Sequence, residues 1–234
     1  MAGGRRLVAA MALCAAFAPR GASAQVGGPD AAGNVFGPLS YDFLPLDGSS
    51  GPAGTTLPVP TGGQVDAALP FPFPFYGVSY ATVSVSANGA LRFQAGAPTP
   101  ALNDSIPSAS VPSPDVAVYW DELEPSTAGA VYALHDAVNG RFVISWEGVA
   151  RAGGVSPGTF QVQLSSDGGL RLYYDDLDFG TAGTSYGESA TVGIQDSVGA
   201  TLGAGNALQI GFNTGFLPSG SAFYIGPCVG DADG

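Results

Sequence analysis

The sequence predicts an all-β fold, an antiparallel β-sandwich of jelly-roll type built from about 10–13 short strands. Three observations carry that expectation. Apolar residues alternate with polar ones in short runs separated by turn clusters, and no run outside the N-terminus has the 3.6-residue period of a helix. The chain of 234 residues holds 36 glycines and 19 prolines, which would favour low-complexity disorder if little else were present. It also holds 13 Phe, nine Tyr and two Trp spread through the alternating runs, and disordered chains lack such core-forming residues.

Residues 1–24 stand apart from the fold. Arg5-Arg6 give a positive start, Leu7 to Phe17 a short apolar run, and Ala22-Ser23-Ala24 a small-residue cleavage site. This is the pattern of a secretory signal peptide cut before Gln25. The apolar run is too short to span roughly 30 Å of hydrocarbon, so no membrane insertion is expected after cleavage. Cleavage leaves four arginines and no lysine against 19 acids, a formal charge of −15. Such a surface repels nucleic acid and anionic membrane and attracts cations. Cys228 then stands alone, which leaves no disulfide within the mature chain.

Residues 25–40 have no period and are expected to be a flexible lead-in to a domain over 41–226. Tyr41, Phe43 and Leu46 suggest a first edge strand, and a Gly/Pro/Thr-rich loop follows. In Phe71-Pro-Phe73-Pro-Phe75 a period of two sets three rings on one face and the prolines on the other. Proline cannot donate to a ladder, so this segment belongs at a sheet edge. Its rings are read as core, with an exposed aromatic strip as the alternative. Register decides the next hairpin. A two-residue loop at Asn88-Gly89 would split the apolar set, whereas a three-residue loop pairs Val85 with Leu91 and Val83 with Phe93 and puts all four on one face. That register requires a left-handed Gly89.

A proline-rich loop runs from Gln94 to Pro114, and its Asn103-Asp104-Ser105 triplet is read as loop chemistry rather than as a glycosylation site. Asp115–Trp120 reads as a strand ending in the acidic bend Asp121-Glu122-Leu123-Glu124. Val131–Leu134 and Phe142–Trp146 follow as strands. In Thr159–Leu164, Phe160, Val162 and Leu164 face in while Gln161 and Gln163 face out, and Leu170–Tyr174 continues the pattern. Ala190–Ile194, Leu208–Phe212 and Ala222–Ile225 complete the set.

In this order the motifs FPFYG, VSVSANGALRF, NDSIP, VYWDELE, RFVISWEGV, TFQVQLSSDGGLRLYYDDL and ATVGIQ resemble the nidogen-like (NIDO-type) extracellular domain and its relatives in secreted bacterial proteins. The resemblance covers roughly Tyr41 to Ile225. It implies a β-sandwich of extracellular adhesion or matrix proteins, without known catalysis. The cysteine-rich modules that flank animal relatives are not visible, so a matrix partner does not carry over. The acidic tail over 227–234, with Asp231 and Asp233, resembles the opening of a dockerin or EF-hand calcium loop and suggests a chain cut short.

The residues allow several chemistries. His135 is the sole histidine and sits beside a turn with no G-x-S-x-G elbow, so a catalytic triad is not expected; nor is zinc. The strand-end carboxylates Asp121, Glu122 and Glu124, facing Asp175, Asp176 or Asp178, could serve glycoside hydrolysis. They could equally cap turns. Calcium, the one cofactor these oxygen ligands suit, would use Asp121, Asp176, Asp231 and Asp233. Trp120 and Trp146 are expected in the core, and Tyr119 and Tyr173 on outward faces where they could meet a ligand. Ligand contacts are therefore expected at Asp121, Glu122, Glu124, Tyr173, Asp175 and Asp176. The framework is expected to rest on Phe71, Phe73, Phe75, Asn88, Gly89, Phe93, Trp120, Trp146 and Phe160. Together these point to a secreted, non-catalytic binding or adhesion module, a monomeric domain of a longer surface chain with an extracellular protein or glycan as partner. An accessory module or weak glycosidase acting on carbohydrate, and a structural spacer, are the alternatives.

Overall fold

A computed structural model describes residues 25–110, 115–196 and 206–228. The tail acids Asp231 and Asp233, and the leader, lie outside the described residues. Among the described residues fourteen strands form two antiparallel sheets that face each other without closing into a barrel. The larger sheet contains β1 (Asn34–Pro38), β2 (Thr55–Leu57), β8 (Ala130–Asp136), β9 (Arg141–Arg151), β10 (Gly158–Ser165), β11 (Leu170–Asp176) and β14 (Ser221–Pro227). Their order is β1-β14-β11-β10-β9-β8-β2, and the short β7 (Leu123–Glu124) pairs β9. The smaller sheet contains β3 (Gln64–Phe75), β4 (Val78–Ser86), β5 (Ala90–Arg92), β6 (Asp115–Trp120), β12 (Thr191–Gln195) and β13 (Ala207–Phe212). Its order is β13-β12-β6-β5-β4-β3.

The proline-punctuated stretch lies at the edge of the smaller sheet, as its missing donors require. Phe73 and Phe75 are buried and Phe71 partly so, while Pro70 and Pro72 face solvent. Tyr76 and Gly77, with φ of 47° and 77°, make the two-residue turn into β4. The next hairpin takes the burial-selected register: Val85 pairs Leu91, and Val83 and Phe93 share their buried face. Gly89 has φ 69°, and a Cβ there would lie 2.0 Å from the Tyr119 carbonyl oxygen. Only glycine fits. Asn88 ties this turn to its surroundings, donating to the Thr99 carbonyl at 2.8 Å and accepting from the Leu123 amide at 3.4 Å.

Between the sheets Trp146 stacks on Phe160 at 5.1 Å, and Phe160 meets Tyr119 at 5.3 Å. Polar atoms buried with these rings find partners across the core. The Trp146 indole donates to the Ser86 carbonyl at 3.1 Å and the Tyr174 hydroxyl to the Val118 carbonyl at 2.7 Å. Burying each large side chain contributes about 1.5–3 kcal/mol, so this stack is a main source of cohesion.

Three expectations change. The segment expected as a lead-in supplies β1, which pairs β14. Tyr41 to Leu46 is not a strand; it runs as a strap over the outer face of the larger sheet, hydrogen-bonded to side chains of β9 and β10. Tyr119 faces the core, because β6 carries a bulge at which the Val118 and Tyr119 amides both donate to the Gly89 carbonyl. A bulge puts two residues opposite one and resets the alternation, so Val118 and Tyr119 both turn inward and Trp120 turns out. Trp120 is buried all the same, beneath the proline-rich loop, with its indole donating to the Pro100 carbonyl at 2.7 Å.

Candidate functional site

At one end of the sandwich β6 stops at Trp120 and the acidic bend begins. Asp121 is buried there, and its carboxylate is fully engaged. Arg151 grips it with two nitrogens at 2.9 and 3.0 Å, Ser189 donates at 2.7 Å and the Glu122 amide at 2.8 Å. This is a bidentate, charge-assisted pair that fixes the end of β6 to the end of β9. Glu122 is exposed and Glu124 half-buried. A small cleft of about 180 Å³ opens beside them, lined in part by Asn103, Glu122 and Glu188. Asn103 is held within the fold, donating to Thr191 at 3.0 Å and to Asn213 at 2.7 Å.

The second acidic group lies where β11 ends. Asp175 accepts the Tyr41 hydroxyl at 2.6 Å, and Asp176 and Asp178 accept turn amides at 2.9 Å each. The phenol of Tyr41 is raised above its ordinary range by partial burial and by Asp175. The loop from Leu177 to Ala190 touches both acidic groups, through Ser189 on Asp121 and Ser185 on Asp178. It does not gather them. Among the described residues no three His, Cys, Asp or Glu side chains meet as metal ligands. Asp121 in particular has no free oxygen to offer calcium, because a guanidinium occupies both. His135 is exposed and meets Phe71 edge-on at 6.4 Å.

Tyr173 lies on the outward face of β11, as alternation predicts, yet is only 2% exposed. The strap covers it: Tyr41 packs edge-on against its ring at 6.0 Å. Gln161 and Gln163, also outward, are wholly buried for the same reason. Gln161 accepts from the Leu44 amide at 3.3 Å and donates to the Leu44 carbonyl at 2.6 Å, and Gln163 donates to the Asp42 carbonyl at 3.2 Å.

Beyond the strap, towards the opposite end, the outer face opens into a cleft of about 500 Å³. Strand ends and two hairpin turns build it, bringing Asp42, Arg141, Gln163, Asp167, Arg171 and Tyr173 together. Apart from the little of the Tyr173 ring that the strap leaves open, its lining is polar or glycine. Arg141 is neutralised by Asp136 at 2.8 Å and Asp42 at 3.0 Å. Arg171 is not: it donates to the Ser165 hydroxyl, and alone among the described arginines it has no carboxylate within 4.0 Å. Sequence reasoning placed Arg171 on an outward face and went no further. The signal available was its scarcity, as one of the four arginines that follow the leader, against 19 acids.

A family model described as NIDO related matches residues 38–214. The chain belongs to that family. The NIDO-related match takes in the strap, the proline-rich loop and the large cleft, and it ends before β14. Nearly all of β1 and the whole of β14 lie outside it, and those two strands pair with each other. Comparison with curated proteins and with solved structures gives no match. The family suggests an extracellular, adhesion-type module, and no helix among the described residues is long and apolar enough to cross a membrane.

Proposed function

We propose that this NIDO-related domain is a secreted, non-catalytic adhesion module that holds an extracellular protein or glycan on its surface. The observation that supports it best is the state of Asp121. A glycosidase needs one carboxyl group free to donate a proton and a second free to attack or to activate water. Asp121, the most deeply set of the strand-end acids, is locked as an ion pair with Arg151, and the exposed Asp175 and Asp176 are engaged by the Tyr41 hydroxyl and a turn amide. The geometry suits a strut and a polar surface rather than an acid–base pair. Secretion is supported by the leader pattern at Arg5-Arg6 and Ala22-Ser23-Ala24.

Purified mature protein would be immobilised and offered cell-envelope and matrix proteins and polysaccharides, with release of reducing ends followed in parallel. Retention without new reducing ends is the expected result. Release of reducing ends would sink the non-catalytic reading in favour of the glycosidase. Failure to retain any protein or glycan would leave a spacer. The N-terminus of the secreted form should begin at Gln25, and retention of Arg5-Arg6 in that form would overturn secretion by this leader.

A further inference from the structure

We propose that the open cleft on the outer face of the larger sheet binds a sugar carrying a carboxylate, a uronate set among neutral sugars, with Arg171 holding the acid group. The proposal rests on the binding-module reading and names its ligand class.

The case begins with charge. In a chain so poor in cations, three of the four described arginines are matched by carboxylates within 4.0 Å. Arg171 remains with a serine hydroxyl as its hydrogen-bond partner, half-exposed at the floor of the cleft. A guanidinium presents a planar fork of donors that fits the two oxygens of a carboxylate. Anion recognition is therefore built in at one point only.

The rest of the lining argues for hydroxyls around that anion. Asp42 and Asp167 carry acceptor oxygens, Asn139 offers an amide, and Ser165 and Ser166 offer both donor and acceptor. Acceptors of full negative charge would repel a second anion and bind O–H donors well. No aliphatic side chain lines the cleft, so the site lacks the apolar pocket by which peptide side chains are usually anchored. A cavity of about 500 Å³ is of the size that encloses one or two sugar rings.

The overall charge sharpens the ligand further. A surface this acidic repels a dense polyanion over about 10 Å at 0.1 M salt, while a single buried contact is screened much less. One uronate flanked by neutral rings meets both constraints.

The test uses titration calorimetry with cellobiouronic acid, its neutral counterpart cellobiose, and triglutamate. The intact domain should bind cellobiouronic acid at least about tenfold more tightly than cellobiose, because a hydrogen-bonded charge contributes roughly 1.5–3 kcal/mol. Arg171→Gln should lose about that same factor with an unchanged melting temperature, and Arg171→Lys should fall between. Equal affinity for the two disaccharides, no heat with either, or triglutamate bound as tightly would each overturn the proposal. The first and second of these outcomes need only the intact protein, so an unfolded variant could not obscure them. If immobilised protein still retains extracellular material while cellobiouronic acid fails, the ligand class falls and the adhesion reading stands. If neither is retained, both fall.

Discussion

Both sheets of this sandwich hide a polar outer face beneath a length of irregular chain, and the two covers are fastened differently. On the larger sheet the strap over Tyr41 to Asp47 is held by neutral amides and peripheral carboxylates: Gln161 takes both the N–H and the C=O of Leu44, and Glu147 accepts the amides of Leu46 and Asp47 at 2.8 and 3.1 Å. Burial pushes the Glu147 carboxyl above its ordinary value, and these donors moderate the shift. On the smaller sheet the proline-rich loop is clamped in a related way, Gln195 accepting from the Ser108 amide at 2.7 Å and donating to its carbonyl at 3.2 Å. Beside that clamp, however, lies a buried ion pair. Arg92 and Asp115 face each other in register, 3.7 Å apart, in a row that continues to Ser84 and Gln195. Arg92 Nε and Nη2 and Asp115 Oδ1 find no hydrogen-bond partner. A side-chain amide can imitate a missing strand, satisfying both polar groups of one residue. A buried ion pair at this distance offsets only part of its own desolvation.

That contrast is open to direct attack. The largest effect is expected at the ion pair. Arg92→Ala should destabilise the domain by about 3–5 kcal/mol in urea unfolding, because Asp115 is left buried without its counter-ion. The paired replacement Arg92→Met with Asp115→Leu should recover most of that loss. If it does not, the pair contributes more than its desolvation costs and the contrast fails. Next in size, Gln161→Met should cost about 2–4 kcal/mol by orphaning the Leu44 N–H and C=O, and Gln195→Met should cost a similar amount at Ser108. A negligible loss in both would mean that water replaces the clamps.

The smallest expected effect is a pH dependence. Burial, only partly offset by the Arg92 charge, raises the Asp115 carboxyl from 3.8 to about 7. Its folded value therefore exceeds its unfolded one, and the folded state holds the proton more tightly. The stabilisation this gives is complete below about pH 4 and is lost as the pH rises through about 7, amounting to about 1 kcal/mol between about pH 6 and 7.5. Urea midpoints for the protein and for Asp115→Asn across that range should diverge accordingly; parallel curves would place the Asp115 titration elsewhere.

Much of the framework could be read from residue order. Period two in Phe71, Phe73 and Phe75, the shared face of Val83, Val85, Leu91 and Phe93, and the left-handed Gly89 are local or near-local constraints, and burial leaves them one solution. The outer faces were not legible in the same way. Alternation correctly turned Gln161, Gln163 and Tyr173 outward, but what covers them comes from a strap more than 100 residues earlier in the chain. For Tyr119 the alternation itself broke, at a bulge whose cause is a carbonyl in another hairpin. Asp121 looked like a free strand-end acid because nothing near it in sequence announces Arg151 as its partner. Arg171 needed the opposite kind of knowledge, that no carboxylate reaches it, and absence of a partner has no signature in a linear pattern.

The proline-punctuated edge strand has a further consequence. The Tyr76-Gly77 turn makes Phe75 and Val78 a hydrogen-bonded pair, so the amide positions of residues 75 and 73 point towards β4 and that of Pro74 points away. Pro72 and Pro70 likewise carry no N–H, in a stretch where the register with β4 is interrupted. An approaching strand from another molecule would therefore find three donors missing in the second half of β3. An all-β protein released at high local concentration is prone to stack edge to edge into aggregates. Here the same residues that leave the inward face to phenylalanine make that edge unfit to template a neighbour.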